Sequence, residues 1–544
     1  MASSFALVQS FAPILQEPIW QQQRDPGSLF SRSLIQTVGM TIEDVRLLKP
    51  KFWDFHRHAF TPDSGAWTIL TIHWNLCMGT ISQYLPERPD LLPLLQSLER
   101  FDTCGEFLLT ELGHGLDARN LETTATRQAD GSFVLNTPNA ASAKTMPPSS
   151  PFLGMSRTAI VFARLIIDNT DRGVRGFIVP LNDSTGAMCP GVSSTLYPKR
   201  AGSKAIDHSS TSFHNVLLPA GALLGPTGDS SKDERNSFLR AIHRVTVGTL
   251  CLSTSNATIL RVSACVAGRY SIQRTVGAPK PVSILSFSTQ HGPIARALAH
   301  AAVFDKYAVE SRRLFIENVK KPEIQNVIAG TYKATVIDYT QRILSELVDR
   351  CGWQGLFAHN QISELWLAEK GNSIAEGDYV VLCIRLASEI LLGRYAPPNP
   401  AGVWDEARQT VAAIKGGHRG KDFNARILPL SLPLAARDAV ARGGDDENGP
   451  PLTQQVLDLY ESTCLLEDES WYVENGLLTR RQLRERQVDA VNAVLPLLEG
   501  MINDPAVDAF VSAPMVDQGR LAAFFAALPT YKGPDSGFVV RARL

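Results

Sequence analysis

The sequence lacks a charge excess. Its 53 Lys and Arg stand against 54 Asp and Glu, a formal net charge of -1. No basic field argues for a nucleic-acid partner or for steering toward an anionic membrane. It also lacks any paired cysteine motif. Cys77, Cys104, Cys189, Cys251, Cys265, Cys351, Cys383 and Cys464 are scattered with no CxxC, which argues against a disulfide framework or a zinc site and fits a reducing compartment. No run of ~20 uninterrupted apolar residues appears, so no membrane span is expected. The opening stretch, Met1 to Pro18, is mildly apolar but has no basic n-region, so no signal peptide is expected. What is present is ordinary for a globular protein: 44% hydrophobic and 20% charged residues over 544 positions. At roughly 100–200 residues per domain, that length predicts about three or four domains.

The character of the chain changes along its length. Residues 1–103 read as helical, with apolar residues at helical intervals in Ile42 to Leu48 and Leu91 to Leu98. Residues 104–230 read as short strands with turns. Phe133 to Asn136, Thr158 to Leu165 and Gly176 to Pro180 are β-rich and separated by Gly and Pro, the pattern of a barrel or sandwich. Residues 231–396 return to long helices, at Phe238 to Ala267, Gly292 to Val319, Ile324 to Cys351 and Ile374 to Tyr395, which predicts an antiparallel four-helix bundle. The prolines in 396–400 close that segment. Residues 397–544 are again helical, at Trp404 to Ile414, Leu452 to Leu466, Leu478 to Gly500 and Asp517 to Leu528. The expected class is therefore α+β, mostly α, with a β-domain between helical ones.

Four runs carry chemistry. Thr110-Glu111-Leu112-Gly113-His114-Gly115, followed by Leu121-Glu122-Thr123-Thr124-Ala125-Thr126, combines small residues that admit a flat ligand with groups that can bond a ring edge. A Gly-rich turn reads the same way. Glu376, in Ala375-Glu376-Gly377-Asp378, is a carboxylate that can act as a base or simply sit solvated at a helix N-terminus. Arg274, after Tyr270, is suited to phosphate or to a solvated helix end. Cys351-Gly352-Trp353-Gln354-Gly355-Leu356 suits a helix C-cap turn.

These runs resemble the acyl-CoA oxidase family, whose members carry TELGHG followed by GLETTAT. The resemblance continues through Leu135-Asn136-Thr137-Pro138, Ala159 to Leu165, Gly176 to Pro180 and Phe213 to Pro219, and covers roughly residues 70 to 395. It implies an N-terminal helical domain, a middle β-barrel domain, a four-helix bundle and a C-terminal helical domain. It implies FAD between the β-domain and the bundle, an acyl-CoA substrate, O2 as electron acceptor and a homodimer. No metal is implied. Ala375 to Asp378 is similar to the family's YEGEN run, so the catalytic base falls on Glu376. The cofactor contacts fall on Thr110, Gly113, Gly115, Gly154, Arg274, Gln290, Gly352 and Gly355, with Arg274 reaching FAD phosphates across a subunit interface.

The match departs from the family beside the expected flavin. Where members carry KWWPGG, this chain reads Lys144-Thr145-Met146-Pro147-Pro148, and Gly154 stands for the cofactor-contacting glycine. The YEGEN tyrosine is Ala375 and its asparagine Tyr379. Walls of a different shape would admit a branched, polyene or polyketide-like acyl chain. They also leave open a flavoenzyme with another acceptor, a monooxygenase, or a catalytically silent binding protein. The tripeptide Ala542-Arg543-Leu544 is a variant of the Ser-Lys-Leu address and points to the peroxisome.

Overall fold

The structure, a computed structural model, describes residues 37–531 except 152–153, 204–205, 229–233, 392–451, 468 and 475. The sequence readings at Met1 to Pro18, 396–400, Trp404 to Ile414 and Ala542 to Leu544 lie outside the described residues.

Three short helices open the fold: α1 (Ile42–Arg46), α2 (Pro50–His58) and α3 (Ser64–Thr71). Thr41 and Asp44 form a capping box on α1, and the Asp63 carboxylate accepts from the first amides of α3. Helix α3 continues without a break into a π-helical run, Ile72–Met78, and then into α4 (Gly79–Gln83). The π-helical run widens the turn and re-aims the side chains along it, and all of His73 to Met78 are buried. Phe52, Phe55, Trp67 and Trp74 fill the core here, with the Phe55 and Trp74 rings edge to face at 4.8 Å. Helix α5 (Leu92–Glu99) leads into the sheets.

Ten strands follow: β1 (Thr103–Leu108), β2 (Thr124–Arg127), β3 (Phe133–Asn136), β4 (Lys144–Thr145), β5 (Ser156–Ile167), β6 (Thr170–Asn182), β7 (Val192–Leu196), β8 (Ser209–Phe213), β9 (Val216–Leu218) and β10 (Leu223–Leu224). Seven form one sheet in the order β10-β6-β5-β2-β3-β9, with β1 parallel to β5. A second sheet runs β4-β8-β7. Leu108, Leu135, Val161 and Phe177 of the larger sheet pack with Val192 and Phe213 of the smaller one, in a core separate from that of the helices. The expected barrel or sandwich thus takes the form of two sheets sharing one core.

The bundle contains α6 (Glu234–Ala241), α7 (His243–Ser253), α8 (Ser255–Gln273), α9 (Ser288–Glu317), α10 (Pro322–Arg350), α11 (Ile362–Ile374) and α12 (Tyr379–Leu391). Its boundaries differ from the sequence reading in two places. The stretch read as one helix from Phe238 is three, parted at Ile242 and Thr254. The helix read from Ile374 begins at Tyr379, and α11 occupies what periodicity left as a loop. The reason is local. Glu376 and Gly377 both take positive φ, which no helix tolerates, and the Asp378 carboxylate caps α12 through the amides of Val380 and Val381. The end of α11, Gly371-Asn372-Ser373, is poor in helix formers, so periodicity there is weak.

Beyond the bundle lie α13 (Gln454–Glu467), α14 (Glu469–Glu474), α15 (Arg480–Ile502) and α16 (Gln518–Ala526). A Cβ at Gly268 would lie 2.7 Å from Ile502 Cγ1, so the absence of a side chain there lets α8 and α15 touch. Arg269 pairs with Asp508 at 2.7 Å and Arg261 pairs with Asp504 across the same junction. One stretch, His243–Gln273, is apolar and long enough to cross a membrane by length and composition, and 94% of its most apolar window is buried inside the fold. All eight cysteines are free.

Candidate active site

Glu376 sits in the turn between α11 and α12 with φ +53°, and Gly377 follows at φ +103°. A left-handed conformation disfavours any residue with a Cβ by about 1–2 kcal/mol, and it persists only where surroundings hold it. Three groups hold this turn. Lys333 of α10, fully buried, donates its ammonium to the carbonyl oxygens of Ala375 and Gly377, the latter at 2.7 Å. Thr249 of α7 donates its hydroxyl to Glu376 O at 2.6 Å. Asn75 of the π-helical run donates to Glu376 Oε2 at 3.3 Å and to Arg244 O at 3.2 Å.

The carboxyl itself lies against Gly248 of α7. A Cβ built on Gly248 would fall 1.1 Å from Glu376 Oε2, so only glycine leaves room. Arg244, one turn before, is buried beneath. Its Nε donates to Asn75 O at 2.9 Å and its Nη1 to Val45 O at 3.2 Å, and its guanidinium lies 5.4 Å from the Phe52 ring centre. A Cβ at Gly79 would lie 2.4 Å from Arg244 Nε, which explains a glycine at the start of α4.

The electrostatics follow from this burial. Removal from water pushes the Glu376 carboxyl up to about 8, against the pull of Lys333 and Arg244. The same desolvation draws Lys333 down to about 8, opposed by Glu376, Glu369, Asp378 and Cys251. Glu369 of α11 is fully buried, bonded to Asn372 Nδ2 at 2.9 Å, and raised to about 8 by burial, with Asn372, Asn256 and Lys333 pulling it back. A carboxyl poised near neutral pH, in a fixed turn and with partial solvent access, has the properties of a general base.

The Thr110 to Gly115 run is built on a buried ion pair. Glu111 and Lys144, both without exposed side-chain surface, meet at 2.9 Å. Glu111 also accepts from the amides of Glu122 and Thr123, at 2.7 and 2.9 Å, and from the Thr123 hydroxyl at 2.6 Å. Burial would raise this carboxyl, but Lys144, Thr123 and the Glu122 amide outweigh it and leave it below its ordinary value. Burial pulls Lys144 down to about 8 against the attraction of Glu111. Above this pair the amides of Leu112, Gly113 and His114 donate to Ala143 O, Ala141 O and Glu111 O. They are therefore spent on the loop. The Thr110 hydroxyl and the Gly115 amide are among the donors of this run for which no partner is seen among the described residues. Gly113 is needed for close packing, since a Cβ there would lie 2.9 Å from Ala141 Cβ, whereas Gly115 faces open space. Leu112 and Leu116 are 59% and 69% exposed beside it.

No protein-family model matches the sequence. Among curated proteins, the peroxisomal acyl-coenzyme A oxidase 2 of Arabidopsis thaliana is 30% identical over 344 residues, 58% of this chain and 49% of the relative. Acyl-coenzyme A oxidase 1 of Yarrowia lipolytica is 25% identical over 478 residues, 78% of this chain and 68% of the relative. Over these segments the chain is similar to acyl-CoA oxidases, at 25–30% identity. The aligned segment spans about half the length of the first curated relatives it matches. Solved structures show the same fold. An acyl-CoA oxidase from tomato superposes with TM-score 0.74 at 17% identity, covering 97% of this chain and 93% of its own. An acyl-CoA oxidase-1 of Caenorhabditis elegans, complexed with FAD and ATP, gives 0.69 at 17% identity over 96% and 92%.

The site residues expected from the family resemblance fall into separate groups. Thr110, Gly113 and Gly115 share the β1–β2 connection. Arg274, Gln290, Gly352 and Gly355 gather at one end of the bundle. Gln290, buried, donates to Arg350 O at 2.6 Å and to Ser271 Oγ at 3.2 Å, so its amide ties α8, α9 and α10 together. Arg274 is the exposed C-cap of α8. Gly352 ends α10 at φ +56° over open space, and a Cβ at Gly355 would strike Val348 O at 2.3 Å. Glu376 belongs to neither group. Its brace, Lys333, stands 17 residues before Arg350 on α10, about 25 Å at the helical rise.

Gly154 lies apart from Thr110. Strand β1 pairs in parallel with β5 from Thr103↔Ser156 to Leu108↔Val161. Thr110 lies just past one end of that pairing and Gly154 just before the other, separated by a strand of about 20 Å. The loop after Thr145 is instead pinned by hydroxyls. Ser149 Oγ bonds Ser209 Oγ at 2.7 Å, Ser194 Oγ at 3.1 Å and Thr211 Oγ1 at 2.5 Å. Met146 adopts φ +82° beside them.

Sequence reasoning missed Asn75, Arg244, Gly248, Thr249 and Lys333. Nothing local marks them, because each gains its role by meeting Glu376 across the fold. Glu111 and Lys144 lay inside runs already singled out, and a buried Glu–Lys pair is the one signal there that pattern could have offered. Among the described residues no group of three or more His, Cys, Asp and Glu could hold a metal ion.

Proposed function

We propose that this chain is an acyl-CoA oxidase that desaturates an acyl thioester between the α- and β-carbons, with Glu376 as the base. The observation that carries this reading is the Glu376 carboxyl, held in a left-handed turn against Gly248 and raised to about 8 by burial. Such a group takes a proton from carbon beside a thioester carbonyl near neutral pH, where a solvated glutamate would be too weak a base.

FAD fits the donor set. Thr110 and Gly115 offer an uncommitted hydroxyl and amide on a loop with open space at Gly115, flanked by exposed Leu112 and Leu116 and made rigid by Glu111 and Lys144. When bound, FAD would supply the acceptor for the β-hydride and pass the electrons to O2. The chain's own residues do the rest: Glu376 removes the α-proton, Lys333, Thr249 and Asn75 fix its position, and Gly248 leaves the room.

A homodimer is part of the proposal. Arg274, Gln290, Gly352 and Gly355 lie about 25 Å along α10 from the residue that braces the base. That separation favours their serving the cofactor of a second copy, with Arg274 on its phosphates. The acyl-coenzyme A oxidases 2 and 3 of Arabidopsis thaliana are named peroxisomal, and we place this chain in the peroxisome by analogy.

The test is spectroscopic and then kinetic. The purified protein should carry a flavin spectrum, release FAD and yield peroxide stoichiometric with enoyl thioester. Glu376→Gln should lower turnover by about 10²–10⁴-fold while keeping the flavin. Retained desaturation in that variant would remove Glu376 from its role. Oxygen consumption without peroxide would turn the reading to a monooxygenase, and no flavin after incubation with FAD would turn it to a silent binding protein.

A further inference from the structure

The bundle spends a buried cation on two peptide groups. Lys333 lies midway along α10 with no exposed surface. Among the described residues no carboxylate lies within ion-pair distance of it. Its hydrogen bonds go to Ala375 O and Gly377 O, the carbonyls on either side of Glu376. A buried ammonium is costly to leave without partners, so its placement here has to be accounted for by what it holds. What it holds is, among the described residues of the bundle, the one segment with two consecutive positive φ values.

We propose that Lys333 is the positioning residue of the base: by tying the peptide groups before and after Glu376 to α10, its ammonium keeps Glu376 left-handed and its carboxyl against Gly248. The proposal rests on the reading of Glu376 as the base. The geometry is suited to the task because both bonds come from one nitrogen. Two carbonyls that converge on one point fix the plane of the turn, and the side chain between them then has a single direction, toward α7. The other charged or titratable groups around the turn are Arg244 and Cys251 of α7, Glu369 of α11 and Asp378 at the cap of α12. None of them is hydrogen-bonded to the Ala375 or Gly377 carbonyl.

The experiment uses the full-length flavoprotein carrying Lys333→Met, which keeps the length and removes the donors and the charge. Three readouts are taken. Turnover should fall by roughly 10²-fold with KM within about twofold, the size expected for a base displaced by about an ångström. The apparent pKa of the rate should rise, because the largest opposing positive charge on Glu376 is gone. Amide exchange at Ala375, Val380 and Leu382, whose hydrogen bonds close the helix ends beside the turn, should speed up at least about tenfold while the middle of α10 stays protected. Should Lys333→Met fail to fold, Lys333→Met with Glu369→Gln removes the nearby buried carboxyl and restores a neutral pocket for the same measurements. Unchanged exchange at the turn overturns the proposal, whether or not turnover falls. A wild-type protein inert toward every acyl-CoA would instead defeat the functional reading, and the exchange measurement would still decide whether Lys333 holds the turn.

Discussion

Replacing Gly248 with alanine should separate stability from activity. In a helix interior the exchange of Gly for Ala ordinarily stabilises by roughly 0.5–1 kcal/mol. Gly248 lies inside α7, so the helix alone would welcome the change. The new methyl, however, would fall 1.1 Å from Glu376 Oε2, 2.2 Å from its Cδ and 2.8 Å from Asn75 Nδ2. Carbon and oxygen touch at roughly 3.3 Å, so the carboxyl must retreat by about 2 Å. It can do so, because the obstructing atoms are the far end of a flexible side chain. The bond from Asn75, 3.3 Å in the native arrangement, is lost in the process. The fold should therefore keep its stability to within about 1 kcal/mol and retain FAD. Turnover should fall by roughly 10²-fold or more, since a misplacement of 1 Å already costs on that order. Thermal unfolding, flavin content and peroxide release on one preparation read all three. Turnover within threefold of wild type would refute the position assigned to the base. Failure to fold would refute the claim that the Glu376 side chain is the part that yields.

The pH dependence of kcat/KM should rise with an apparent pKa near 8, because the base works deprotonated and its carboxyl is raised to about 8 in the folded protein. The same group acts on stability with the opposite sign. Its folded pKa lies above the unfolded value of 4.5, so its contribution is present below that value and is lost as pH rises through about 8. A rate profile whose rising, acidic limb lies near 5 would contradict the burial of Glu376. Lys144→Met should destabilise by on the order of 3 kcal/mol, because Glu111 would be left charged and without exposed surface. Denaturant unfolding measures it, and a cost under about 0.5 kcal/mol would show that the loop is not built on this pair.

The sequence by itself determined most of the long helices and singled out Glu376 as the candidate base. Periods of 3.6 and 2 separate helix from strand wherever a face is buried, and so α9, α10, α13 and α15 lie within a few residues of where they were expected. Glu376 and the Thr110 to Gly115 run stood out in the sequence because each lies in a short run that resembles a family motif. Helix α11 was not, since its closing residues, Gly371 to Ser373, carry little helical preference and its start is set by packing. Only the tertiary structure decided what surrounds Glu376. Asn75 meets Glu376 across 301 positions and Thr249 across 127. Lys333 reaches the turn across 42 and 44, and Gly248 matters only because a carboxylate lies over it. The tertiary structure also sets Gly154 at the far end of β1 from Thr110, a separation fixed by strand register. A side chain's chemistry is written in the chain, but its pKa, its direction and its room are set by neighbours that folding brings from elsewhere.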